Sequence, residues 1–73
     1  MDDGEIVRKA KAILRSSPYR DLQNVKISMD SGTLVLSGVV PSFYHKQLAF
    51  ESLNGEFNGT PVKTKDIKVK EYS

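Results

Sequence analysis

His45 is the only histidine in the chain, and cysteine is absent. Thiolate chemistry, redox work and disulfide stapling therefore have no residue to carry them. Asp2, Asp3 and Glu5 form an acidic cluster, but charge at the positive end of a helix accounts for all three. No Ser/His/Asp set, no pair of carboxylates in an apolar surround and no metal-ligand spacing can be assembled from the order of residues. Gly55 and Gly59 enclose Glu56-Phe57-Asn58, a spacing that matches neither a P-loop nor a GXXG phosphate loop. We expect no catalytic residue, no cofactor site and no metal site. The chain does not read as an enzyme.

Two constellations are better suited to contact than to catalysis. Phe43 and Phe50 lie seven residues apart and flank Lys46 and Gln47, which at 100° per residue places them on one side of a helix. That side is opposite the arc of Tyr44, Leu48, Ala49, Ser52 and Leu53, where His45 also falls. The ordinary reading has the phenylalanines covering the helix ends or the next loop. The functional reading is a small apolar patch for a membrane surface or another protein. The second constellation is Lys63, Lys65, Lys68 and Lys70 in the run KTKDIKVK. Lysines there most often mark the solvated side of an edge strand and discourage edge-to-edge pairing. They are also spaced to meet phosphate, of lipid or of nucleic acid. Nucleic acid ranks last among the partners, because Asp66 and Glu71 interrupt the lysines and no aromatic lies within the run KTKDIKVK to stack bases.

The elements that must position these residues are legible in order. A first helix is expected over about Glu5 to Ser16, with Ile6, Val7, Ala10, Ile13 and Leu14 at helical spacing. Ser16-Ser17-Pro18 stops it, and in the polar connection from Tyr19 to Asn24 only Leu22 is placed to tuck under a sheet. Ser31-Gly32 then separates two alternating stretches, VKISM and TLVLS. A two-residue loop opposes Met29 to Leu34, Ile27 to Leu36 and Val25 to Gly38, which gathers the large apolar residues on one face. A one-residue slip would put Lys26 and Ser28 beside the leucines. Gly38 is expected to end the strand, with Val39-Val40-Pro41 leading out of the sheet. Ser42 is the N-cap of a second helix over about Phe43 to Leu53. Asn54 to Pro61 is a loop anchored by Phe57, and Val62 to Tyr72 alternates with lysine as a closing strand. By simple alternation Lys63 and Lys65 fall on the side of Ile67 and Val69 unless a bulge intervenes.

At 73 residues with 38% hydrophobic and 27% charged residues, the composition is that of a small globular domain. A net charge of +2 does not by itself point to nucleic acid. No apolar run approaches the roughly 20 residues that span a bilayer, so no transmembrane segment is expected. The opening MDDGEIV lacks the basic and apolar regions of a signal peptide. The expectation is cytoplasmic if this is the full chain, and periplasmic or envelope-associated if it is an excised domain.

The run from Ser31 to Val40, SGTLVLSGVV, followed by PSFYHKQLA to Ala49 and by Ile67-Lys68-Val69, resembles the BON domain, the small module named for bacterial osmotic-stress and nodulation proteins. The first helix and Val25 to Met29 fit the same pattern, so the resemblance covers almost the whole chain, read as one BON-like domain over residues 1–73. One segment departs. Where the family usually passes through a short Val-x-Gly-Val stretch and a Val-x-Asn strand, this chain has NGEFNGTPVKTKD, which leaves the register of the last strand open. The resemblance implies an α+β fold in the order αββαβ, helix–hairpin–helix–strand, with two helices on one face of a three-stranded mixed sheet. The most apolar strand, TLVLS, belongs at its centre, with the last strand parallel beside it. The expected core is Ile6, Ala10, Ile13, Leu14, Val25, Ile27, Met29, Leu34, Leu36, Tyr44, Leu48, Leu53 and Ile67.

The resemblance further implies a binding module rather than an enzyme. Its expected partner is a phospholipid membrane surface, or another protein or domain of a larger assembly. Phe43, Lys46, Gln47 and Phe50 are the candidate membrane or partner contact, and Lys63, Lys65, Lys68 and Lys70 the candidate basic contact. Some family members sit beside a LysM domain in a potassium-binding protein, but no residues here form a site for a dehydrated cation.

Overall fold

A computed structural model describes residues 2–70 of the chain. Helix α1 spans Asp3–Arg15, a 3₁₀ turn Arg20–Asn24, strand β1 Lys26–Asp30, strand β2 Thr33–Val40, helix α2 Phe43–Leu53 and strand β3 Val62–Val69. The sheet has the order β1-β2-β3, with β1 antiparallel and β3 parallel to the central β2. Both helices contribute to the same apolar cluster, which includes Ile27, Leu34, Leu36 and Ile67 from the sheet. The helices therefore cover one face of a mixed sheet, as the αββαβ order implies.

The hairpin forms in the register that burial demands. Ser31 and Gly32 have φ of 49° and 81°, the paired positive angles of a two-residue turn whose twist suits the strands. Met29 pairs with Leu34 and Ile27 with Leu36. Leu34 and Leu36 are fully buried, whereas Lys26 and Ser28 are exposed.

Gly38 does not end β2. The strand continues through it, pairing Gly38 with Ile67, Val39 with Lys68 and Val40 with Val69. At Gly38 the backbone has φ of 122°, and a Cβ there would lie 2.9 Å from the Asn24 carbonyl oxygen. The glycine thus serves a close crossing, where the chain entering β1 passes over β2, and not a stop. Beyond that crossing β2 leaves β1 but keeps β3, which buries Val40. Pro41 ends the strand, since it has no N–H to give a ladder.

β3 carries the bulge on which its register depends. Val35 pairs with Lys63 and Ser37 with Asp66, so Leu36 alone opposes Thr64 and Lys65. Lys65 and Asp66 are both exposed. The inserted residue resets the alternation, leaving Lys63 and Lys65 outside before it and Lys68 outside after it, while Ile67 is buried. The expected continuation of this strand to Tyr72, and Glu71 as an interruption of the lysine run, lie outside the described residues.

Each helix begins at a cap. Asp2 Oδ1 accepts the Glu5 N–H at 2.8 Å, which starts α1 two residues before the expected Glu5. Asp3 and Glu5 occupy its first turn and Arg15 its last, in line with the helix dipole. Ser42 Oγ accepts the His45 N–H at 3.2 Å, and α2 runs over the expected residues. Ile6, Ala10, Leu14, Leu22, Leu53 and Phe57 are buried, with Ile13, Met29 and Leu48 half-buried against them. Tyr44 is not part of the core. It is 58% exposed, because its ring turns sideways to the Tyr19 ring, 5.8 Å between centroids and 77° between planes. Val40 and Ala49, absent from the expected core, are buried.

Candidate functional site

α2 has an apolar residue on each of its sides. Ala49 and Leu53 face the core, while Phe43 remains 69% exposed. Because β2 and β3 are parallel, α2 must run back along them after Ser42, and it lies over β3. This brings its outward side against the outer strand of the sheet. Phe43, Lys46, Gln47 and Phe50 line a single open groove of about 390 Å³ with Thr64 of β3. Phe43 and Lys46 also line an adjoining hollow with Lys65, Ile67, Lys68 and Val69.

The four residues of the α2 constellation thus share one groove, and two of the four β3 lysines, Lys65 and Lys68, join it. Lys63 and Lys70 line neither opening. Lys63, opposite Val35, and Lys68, opposite Val39, both take the sheet face away from the helices, so Lys68 borders the hollow only from the outer edge of β3; the Lys70 N–H closes β3 onto the Val40 carbonyl at 2.9 Å. The separation of aromatics from basic strand, which the sequence suggested, does not hold in space, since Phe43 of α2 stands beside Lys65 and Lys68. Among the described residues, Lys46, Lys65 and Lys68 have no carboxylate within ion-pair distance. The groove thus joins two phenylalanines with Lys46, Gln47 and Thr64, and lysines line the adjoining hollow.

A second cluster escaped sequence reasoning. Ser42 Oγ lies 2.7 Å from His45 Nδ1, and His45 Nε2 lies 3.7 Å from Asp21 Oδ2 in the 3₁₀ turn. The Tyr19 and Tyr44 hydroxyls are 3.2 Å apart, and either can donate. Tyr19 also meets the His45 ring edge-on, 5.8 Å between centroids. The Tyr19 hydrogen bond, and then the Tyr19 charge, raise the Tyr44 phenol above the ordinary tyrosine range, with burial and Glu51 adding in the same direction. A serine, a histidine and an aspartate do come together here, against expectation. Their geometry is that of a joint. Ser42 Oγ is committed to the cap, the histidine presents Nδ1 to it, and the carboxylate stands beyond hydrogen-bond reach. Asp21 and His45 are 24 residues apart in number, and only the helical return of the chain joins them.

Among the described residues no group of three or more His, Cys, Asp or Glu side chains is placed to hold a metal, and no helix is long and apolar enough to cross a membrane. A protein-family model described as the BON domain matches residues 2–71. No curated protein matches the chain.

Proposed function

The chain belongs to the BON domain family, and from that membership and the α2/β3 groove we propose that it is a non-catalytic binding module for a phospholipid membrane surface. One observation carries the reading. Phe43, 69% exposed, stands beside Lys46, Lys65 and Lys68. An exposed aromatic next to ammonium groups suits the boundary between acyl chains and headgroups, where apolar area and charge both strengthen binding. Sedimentation with vesicles at low salt tests it: retention of the chain, lost when Phe43→Ala and Phe50→Ala are combined, is the expected result. Failure to sediment with either anionic or neutral vesicles removes the lipid reading.

The outer edge of β3 favours a second reading, a structural protein–protein module. β3 pairs with β2 on one side only, and an added strand can use the remaining donors and acceptors of such an edge. A larger assembly in which residues of β3 are protected would carry that reading instead.

A further inference from the structure

The two ends of the α2/β3 groove differ in chemistry. α2 starts where β2 ends and returns over a strand parallel to β2. Its first turn therefore lies at the C-terminal half of β3 and its last turn at the N-terminal half. At the first end Phe43 is exposed, Lys46 and Lys65 line the hollow, and Lys68 borders it from the outer edge of β3; among the described residues none of the three lysines has a carboxylate within ion-pair distance. At the other end Phe50 is half-buried, and Thr64 is the residue it meets from β3. Gln47 there donates from Nε2 to Glu51 Oε1 at 3.1 Å, which fixes a carboxylate beside Phe50. Glu56, also exposed, follows in the loop.

Resting on the lipid reading above, we propose that docking is one-ended and selective for anionic phospholipid. Phe43 is the inserted side chain, Lys46, Lys65 and Lys68 meet headgroup phosphates, and Glu51 keeps the Phe50 end out of the bilayer. Charge complementarity selects this occupant. A single aromatic entering the interface binds weakly, so the lysines must supply the rest, each strengthening association with an anionic leaflet about fivefold. A nucleic acid would find the same phosphate contacts but, among the described residues lining the groove, only one exposed aromatic, Phe43, where successive bases need successive stacking partners.

The absence of tryptophan makes the test direct. Phe43→Trp and Phe50→Trp each introduce a single reporter into the full chain, mixed with phosphatidylcholine vesicles that contain or lack phosphatidylglycerol and carry a quencher on the acyl chains. The expected result is a blue shift and quenching at position 43, only with phosphatidylglycerol, and little change at position 50. Lys65→Ala and Lys68→Ala, both at exposed positions that need not disturb folding, should each weaken partition about fivefold. Added salt should weaken it steeply. Binding to both vesicle types alike, equal quenching at the two positions, or indifference to the lysines would overturn the one-ended anionic contact while leaving lipid binding standing. Absence of vesicle binding would remove both. Capture of an oligonucleotide or of poly-glutamate, with position 43 unquenched by lipid, would assign the surface to a different partner and overturn the inference.

Discussion

β2 is shared by two flanks that close in different ways. On one side β1 joins it through a two-residue turn, and α1 lays Ile6, Ala10 and Leu14 into the core with Val7 and Ile13 alongside. Among the described residues no large apolar side chain of α1 or β1 is left exposed. On the other side β3 joins through a helical crossover and a bulge, and α2 buries only Ala49 and Leu53 while Phe43 stays in water. Folding accounts for the first flank completely. It leaves the second with apolar surface, and with lysines that among the described residues have no carboxylate partner, and surplus of that kind is where a partner is to be sought.

That contrast can be broken by mutation. Leu34→Ala or Leu36→Ala, at fully buried positions, should cost about 2–5 kcal/mol, close to the whole stability of a domain this small. Phe43→Ala should change stability by only about 0.5 kcal/mol or less. Urea unfolding of the variants measures both, and a large loss at Phe43 would mean that the residue belongs to the core. Gly38→Ala comes next. A Cβ 2.9 Å from the Asn24 carbonyl, at φ of 122°, should cost about 1–3 kcal/mol, well above the cost at Gly32, where nothing lies within 4 Å of a new Cβ. The same denaturant curves separate the two glycines.

Smaller effects sharpen the picture of α2. Ser42→Ala removes the N-cap and the Nδ1 partner of His45, for a loss of about 1 kcal/mol. Asp2→Ala at the α1 cap should match it, and a null result at Ser42 would show the joint with the 3₁₀ turn to be idle. Smallest is the Tyr44 phenol. Its folded value is raised by the Tyr19 hydrogen bond, so the neutral form is the one the fold favours. Any stabilisation from that bond is complete below the unfolded tyrosine range and fades as pH rises through the folded value. Ring-proton shifts followed by NMR should show Tyr44 titrating above an ordinary tyrosine, and Tyr19→Phe should remove the larger part of the difference, leaving what burial and Glu51 supply.

The hairpin was readable because a single burial argument decided its register, and Ser42 announced α2 by residue type alone. The readings that failed share a cause. At Gly38 the hairpin register already sets the glycine against Val25, and a Cβ there does meet the Asn24 carbonyl and Val25 Cα; what the sequence misses is that β2 runs on, because its pairing with β3 past that point depends on a distant strand. Tyr44 lies on the inward arc of an ideal helical wheel, but a long side chain at the first turn can leave that arc for a hydroxyl partner. The constellation from Phe43 to Phe50 was legible as a helix face, whereas its meeting with Lys65 and Lys68 depends on the parallel return of β3. The bulge at Thr64 and Lys65 could be posed as a condition but not decided, because alternation on either side of it is equally regular.

The parallel pairing of β3 also bears on the order in which the molecule assembles and comes apart. A two-residue turn lets β1 find β2 within about 1–10 microseconds. β3 must wait for the whole excursion from Pro41 to Pro61, and contacts between distant residues form late because loop closure precedes their reward. β3 is a sheet edge divided by a bulge, so its amide protons should exchange before those of the central β2. Occupancy of the flank proposed to meet a partner would slow exchange along Val62–Val69.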